Sequence, residues 1–341
     1  MIGDLLTTLQ TPARPRPARL PAGPLRVVIL SNPASGRGRG AAMAVAVGTT
    51  LSQGGHQAVP LVLAGESPEA FQRHLRAALA DADLLVVVGG DGTVHHALSA
   101  ALHAAVPLYH VPLGTENLFA RQFRMDRRPE TLAAALRAGR TLDVDVGLAT
   151  VRSGNGPAAV PKPFVLMCSL GPDASVVRRL ALVRSGPISH LSYIRPIMAE
   201  LMSPWIPRVT VEVDGERLVD GRRGMVVVAN SRQYAVRIDP ACDASMSDGL
   251  LDVVFLPSTG GARAGAWLLS ARLRRHRRNS TLIYRQGRSI RVTTDDPSPS
   301  YQVDGESGHT DGAGIDLWFT VDPQALRVLA PGEAALNRGF Q

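Results

Sequence analysis

The chain has 341 residues, 45% of them hydrophobic, and a formal net charge of +8 carried almost wholly by arginine, Lys162 being the only lysine. That length and apolar content describe two globular domains rather than a disordered chain, and no apolar run reaches the ~20 residues that span a bilayer. Aromatic residues are only 4% and none interleaves with the basic ones; with no binding module around the arginines, nucleic acid is excluded as the expected partner.

The N-terminus lacks the apolar core of a signal peptide, and residues 1–24, Pro/Arg-rich from Thr11 to Pro24, read as a flexible arm. A cytoplasmic protein is expected. From Leu25 the pattern alternates. Leu25–Leu30, Val59–Leu63, Leu84–Val88 and Pro107–Val111 read as strands, and Ala41–Gln53, Pro68–Leu79 and Val94–Leu102 as helices. Short apolar strands alternating with helices predict a parallel sheet covered on both faces, with ligands at the carboxyl ends of its strands. This first domain is expected over residues 25–142.

After Asp143 short β-rich runs take over: Phe164–Cys168, Val209–Val213, Met225–Ala229, Leu251–Leu256, Ser289–Thr294 and Ile315–Phe319. Turns such as Asp214-Gly215 and Asp248-Gly249 separate them, which predicts a β-sandwich over 143–325. A helical insert, Ala174 to Met202, interrupts it, residues 153–163 read as a loop, and 326–341 form a tail with the option of returning to the first domain. Cys168 and Cys242 have no metal-ligand spacing and read as structural thiols.

Three loops follow the carboxyl ends of predicted strands. Asn32-Pro33-Ala34-Ser35-Gly36-Arg37-Gly38 follows the first; it lacks the Gly-Lys-Ser/Thr ending of a Walker A loop. Its N–H groups and the Ser35 hydroxyl suit phosphate, and an ordinary turn capped by Ser35 is the alternative. Gly89-Gly90-Asp91-Gly92-Thr93 follows the third strand and opens a helix, the arrangement that presents backbone N–H groups to phosphate. Its carboxylate, which phosphate would repel, suits a bound cation or a base acting on a hydroxyl. Pro112-Leu113-Gly114-Thr115-Glu116-Asn117-Leu118-Phe119-Ala120-Arg121 again sets short polar side chains, Thr115 and Asn117, at a helix start.

In this order and spacing the loops resemble the diacylglycerol kinase catalytic family, which includes bacterial lipid kinases and sphingosine kinases. Downstream, Ser169-Leu170-Gly171-Pro172-Asp173-Ala174, Asp248-Gly249-Leu250-Leu251-Asp252-Val253 and Asp304-Gly305-Glu306 are similar to further segments of that family. The resemblance implies an α/β nucleotide-binding domain followed by a β-sandwich lid, with an ATP- and Mg²⁺-dependent reaction on a lipid hydroxyl in the cleft between them. Asn32, Ser35, Gly36, Arg37, Gly89, Gly90, Gly92 and Thr93 would meet the nucleotide phosphates, with Gly114, Thr115, Asn117 and Gly305 supporting them. Asp91 and Glu306 would be the catalytic acids, Asp91 also a metal ligand, and Asp248 a ligand of a second, structural cation or simply a turn residue.

Some positions depart from the family. His96, preceded by His95, stands where an acid is common, Glu116 replaces a frequent glycine, Ala64 a threonine for which Ser67 could substitute, and Pro172 an aromatic residue. The basic run Arg272–Arg278 reads as a solvated helix face or, with Ala266-Trp267-Leu268-Leu269, as a peripheral contact with the inner face of a membrane. Apolar positions between Arg178 and Trp205 fit an acyl groove or a core helix equally. An NAD kinase, which shares the Gly-Gly-Asp-Gly-Thr turn, and a lipid or nucleotide sensor without turnover are the competing readings. The sequence names neither the lipid nor the oligomeric state, a dimer remaining open.

Overall fold

The structure is a computed structural model that describes residues 19–63, 65, 67–152, 159–182, 202, 204–310 and 313–331. Most of the arm (1–18), Ala64, most of the 153–163 loop, the end of the tail (332–341) and residues 183–201, which include most of the candidate acyl groove, fall outside that set.

Strands β1 (Arg26–Ser31), β2 (Gln57–Val62), β3 (Leu84–Gly89) and β4 (Leu108–Pro112) form a parallel sheet in the order β2-β1-β3-β4. Every residue of β3 is buried, as its unbroken Leu-Leu-Val-Val-Val run requires of a strand covered on both faces. β2 is the half-exposed edge and holds Pro60, whose missing N–H is harmless on the open side. The helix Pro68–Leu79 begins where Ser67 Oγ accepts the Ala70 N–H and buries Phe71, Leu75 and Leu79 one turn apart. Ser67 is therefore engaged as a helix cap. The helix Asp91–Ala104 starts two residues after β3.

The β-rich half contains β5 (Thr141–Arg152), β6 (Lys162–Phe164), β7 (Met167–Leu170), β8 (Arg208–Val213), β9 (Glu216–Ala229), β10 (Leu251–Pro257), β11 (Ile283–Gly287), β12 (Ser289–Pro297), β13 (Ser300–Val303), β14 (Glu306–His309) and β15 (Ala313–Leu329). Its two sheets share β9, which pairs with β8 through its first residues and with β7 and β10 through its last. At the switch stands Gly224, where a Cβ would meet the Phe255 ring and lie 2.7 Å from the Leu256 carbonyl oxygen. Only glycine lets the strand cross so closely. Between the sheets lies a core of Val209, Val211, Phe164, Phe255, Leu317 and Phe319.

One ribbon joins the halves. β5 and β15 run antiparallel from Asp316↔Arg152 to Leu329↔Thr141, and Val328 then pairs in parallel with Leu108 of β4. The expected boundary at 142/143 thus falls inside a strand, and Leu326–Leu329 of the expected tail lie in the same ribbon. Where its register slips between Asp322 and Leu326, fully buried Asp145 fills the gap, accepting the Gln324 N–H at 2.8 Å and the Gly249 N–H at 2.7 Å.

The predicted strand Phe164–Cys168 is two strands. The N–H groups of Val165, Leu166 and Met167 donate to the Asp304 carboxylate rather than continuing a ladder. Trp267 is a second correction. It is buried, its indole N–H donating to the Pro257 carbonyl at 2.8 Å, so it belongs to the core and is not an exposed anchor. Nor is Arg272–Arg278 one helix face: the helix Gly261–Arg272 ends there, Arg274 is left-handed, and His276 is fully buried.

Candidate functional site

The three glycine-bearing loops meet at the carboxyl ends of β1, β3 and β4. In the first, Asn32 Oδ1 accepts the Ala34 N–H at 3.0 Å, so this side chain folds its own loop. Gly36, Arg37 and Gly38 all have positive φ, which curls the backbone tightly enough that a Cβ on Gly40 would collide with the Asn32 carbonyl. Ser35 is half-buried and Arg37 exposed at the rim.

The second and third loops pack backbone against backbone. A Cβ on Gly114 would lie 2.8 Å from Gly90 Cα, and one on Gly90 would lie 3.2 Å from Gly114 Cα. Asn117, left-handed at φ 49°, closes the third loop by accepting the Gly114 N–H at 2.8 Å and donating to the Gly114 carbonyl at 2.7 Å. Asp91 ties the two loops together: its carboxylate accepts the N–H groups of Leu118 (2.9 Å) and Phe119 (3.0 Å), capping the helix Leu118–Phe123. Burial raises the Asp91 pKa; His110 and the two N–H groups oppose that, and the charge of Asp304 adds to it. His110 is fully buried beneath the turn with Nε2 2.9 Å from the Gly89 carbonyl. Its pKa is lowered by burial, so a neutral ring donates from Nε2. Sequence reasoning passes over it as one residue of an apolar strand.

From the β-rich half the turn Asp304-Gly305-Glu306 is laid across the Asp91 helix. Asp304 and Gly305 have φ 49° and 85°, the paired left-handed residues of a tight hairpin between β13 and β14. Asp304 accepts three N–H groups, from Val165, Leu166 and Met167, at 2.8–3.0 Å. Its Oδ2 also lies 3.5 Å from His95 Nδ1. Burial works against the charge on His95, but Asp304 and then Glu306 outweigh it and raise its pKa. Glu306 Oε1 stands 2.8 Å from the point a Cβ on Gly92 would occupy. Thus Gly92 and Glu306, far apart in sequence, share one small space. His95, not His96, faces this turn; His96 is exposed, its carbonyl accepting from Gln72 at 2.6 Å.

A polar chain continues behind the turn. The Gly305 N–H donates to Gln302 Oε1 (2.8 Å), Gln302 Nε2 to Ser169 Oγ (2.8 Å), and Ser169 to Asp173, which also accepts the Tyr234 hydroxyl at 2.5 Å. Burial raises the Asp173 pKa, with the two hydroxyls pulling the other way. Arg121 clasps the halves, donating to Gln233 and to the Tyr234 carbonyl, while Glu116 accepts the Val236 N–H at 3.1 Å. Asp304, Asp173 and Arg121 lie in the motifs that carry the resemblance and His95 beside His96, but sequence reasoning gives none of them a role in the site. The Asp-Gly pair between two short β runs marks a tight hairpin, the local signal that gives Asp304 its place in the turn.

Asp248 lies apart from this site. Its oxygens accept the Leu250 N–H at 3.1 Å and the Gln286 side chain at 3.3 Å, bracing a turn. Among the described residues no three His, Cys, Asp or Glu side chains are grouped so as to hold a metal ion.

Residues 26–149 match the diacylglycerol kinase catalytic domain family, and residues 167–330 match the YegS C-terminal NAD kinase beta sandwich-like domain. A diacylglycerol kinase of Mycobacterium tuberculosis is 30% identical over 236 residues, 68% of this chain and 74% of that protein. One from Bacillus subtilis is 25% identical over 316 residues, 91% of this chain and 98% of its own. Among solved structures, a diacylglycerol kinase from Bacillus anthracis superposes with a TM-score of 0.63 at 18% identity, covering 91% of this chain and 98% of that one. Yeast NADH kinase complexed with NADH superposes at 0.55 and 13% identity, covering 96% and 91%. At such identities the structural likeness is one of fold.

Proposed function

The chain belongs to the diacylglycerol kinase catalytic family, and from that membership we propose that it is an ATP-dependent lipid kinase that transfers the γ-phosphoryl group to the hydroxyl of diacylglycerol or a sphingoid-type lipid. The observation that carries this reading is Glu306 seated over Gly92: the β-rich half delivers a carboxylate to the very turn whose N–H groups suit phosphate.

In this mechanism the curled Ser35–Gly38 backbone and the N–H groups of Asp91 and Gly92, at the start of the Asp91 helix, receive the phosphates, while the Thr93 N–H is engaged by the Gly90 carbonyl. Glu306 takes the proton of the acceptor hydroxyl as its oxygen attacks phosphorus, and the bond to the ADP leaving oxygen breaks. Asp304, held by three N–H groups and His95, fixes the turn that carries Glu306. Asp91 positions the third loop against the second. Glu306, and Asp91 through what its helix cap leaves free, are the carboxylates at the turn that would hold Mg²⁺. Such an ion would screen the charge of the transferred group.

The test is transfer of radiolabelled γ-phosphate from ATP to diacylglycerol, monoacylglycerol, sphingosine, ceramide and polyprenol in mixed micelles, with NAD as a further acceptor. Labelled lipid that disappears in Glu306→Gln supports the proposal. Labelled NADP, or no product on any acceptor despite ATP binding, overturns it in favour of a nicotinamide-nucleotide kinase or a sensor.

A further inference from the structure

A second concentration of positive charge lies beyond the third loop, in a cavity whose lining includes no residue of 32–38, 89–93 or 112–117. A cavity of about 500 Å³ is lined by Arg121, Arg124, Arg232, Arg237, Arg272 and Arg274, with Asp239 the only acid among the described residues of its lining. Both halves contribute: Arg121 and Arg124 stand at the end of the helix that Asp91 caps, and the other four come from the 231–239 segment and the end of the helix Gly261–Arg272. Asp239 is shared between Arg121 at 4.0 Å and Arg274 at 3.7 Å, and Glu116 lies 3.7 Å from Arg121. Among the described residues no acid pairs with Arg237 or Arg272, so the cavity carries a positive excess in a partly enclosed space, where repulsion is screened less than at an open surface.

The backbone that forms one wall is strained. Val236 and Arg237 both hold left-handed φ values, 55° and 56°. A β-branched residue in that region is a rare and costly conformation, one that clusters at ligand sites. Here it turns Arg237 into the cavity wall. Guanidinium forks match phosphate oxygens two at a time, which a ring of ammonium or carboxamide groups would not do. Leu273 lines the cavity, and Leu269 stands one helical turn before it; they are 54% and 62% exposed.

We propose that this cavity is a second anion site, separate from the nucleotide phosphates, and that it takes a phosphate monoester dianion. The source of that group is either a soluble phosphate ester or the headgroup of an acidic lipid, for which Leu269 and Leu273 would lie against the acyl region. The assignment does not depend on kinase activity, and its test is a binding measurement.

The probes are glycerol 3-phosphate, followed by titration calorimetry, and phosphatidylcholine vesicles with or without phosphatidate, followed by co-sedimentation. The variant is Arg237→Gly with Arg272→Gln, which removes two guanidinium groups while giving the left-handed position the residue that favours it. Unchanged thermal melting and unchanged ATP binding verify that the variant folds and keeps its phosphate loops. The expected result is a loss of affinity of about tenfold or more for the phosphate monoester, as for two lost charge-assisted contacts. Loss on both probes assigns the site to a lipid headgroup. Loss on glycerol 3-phosphate alone, without sedimentation of the native protein, assigns it to a soluble ester. Equal binding of both probes by native protein and variant, or binding of neither by the native protein, overturns the proposal.

Discussion

Gly92→Ala separates catalysis from folding. The added Cβ would sit 2.8 Å from Glu306 Oε1, about 0.6 Å inside ordinary contact distance, and the nearest other atom, Glu306 Cδ, is 4.0 Å away. Gly92 has no positive φ and lies in the first turn of a helix, so its backbone accepts alanine, which gains up to about 1 kcal/mol of helix propensity. The obstacle is the far end of a flexible side chain, and Glu306 can swing aside at little cost. Stability should therefore change by less than about 1 kcal/mol, a shift of a few degrees at most in Tm. Activity should not survive so well. A displaced general base forfeits the 10²–10⁴-fold that such a group supplies, and kcat for lipid phosphorylation should fall by about 10²-fold or more. The assay is γ-phosphate transfer in mixed micelles alongside thermal denaturation, with Glu306→Gln and the double variant. Since both changes disable one group, the double variant should be no worse than Glu306→Gln alone. Native kcat in Gly92→Ala, or additive losses in the double variant, would refute the role given to Glu306.

Gly114→Ala should behave oppositely. Its Cβ meets Gly90 Cα at 2.8 Å and Asn117 Oδ1 at 2.9 Å, and backbone cannot swing aside, so a loss of about 1–3 kcal/mol is expected in denaturant unfolding together with loss of activity. His95 has a raised pKa through Asp304 and Glu306. Its stabilising contribution is thus complete below its ordinary value of ~6.5 and is lost as pH rises through the folded-state value. Melting profiles of native protein and His95→Gln should converge above that point and separate below it; parallel profiles would contradict the ion pair. Asp252 is pushed up to about 6 by burial, with the Tyr284 and Gln286 hydrogen bonds opposing. A raised acid binds its proton more tightly when folded, so stability falls as pH rises from about 4 to 6, by up to about 3 kcal/mol. Asp252→Asn should flatten that fall, and a fall of undiminished size in the variant would remove Asp252 as its origin.

Local signals made the first half readable. The Leu84–Val88 run, Pro68 after a serine cap and the glycines beyond each strand each report a structure set by near neighbours, and the observed elements follow them within a few residues. The family of the chain was legible for the same reason, since its motifs are short loops. What escaped depends on partners remote in sequence. β5 reads poorly because Gly147 interrupts it, and that glycine answers to the Phe164 ring packed against it. Trp267 looks like a surface anchor until the Pro257 carbonyl is brought to its indole. The distinction between His95 and His96 rests on which side of one helix the Asp304 turn lands, and Asp304 itself takes its meaning from three N–H groups more than a hundred residues earlier.

The ribbon of β5 and β15 bears on how the chain is made. During synthesis β1 to β4 emerge well before β15 and can collapse around their helices, yet β4 keeps an unpaired edge until Val328 reaches Leu108. An open, apolar parallel edge invites pairing with another nascent chain. Closure must also wait for a contact of very high sequence separation, the slow kind to form. A sheet made early is thus sealed late. Truncation within β15 should show itself first as aggregation during expression, before any assay of activity could be run.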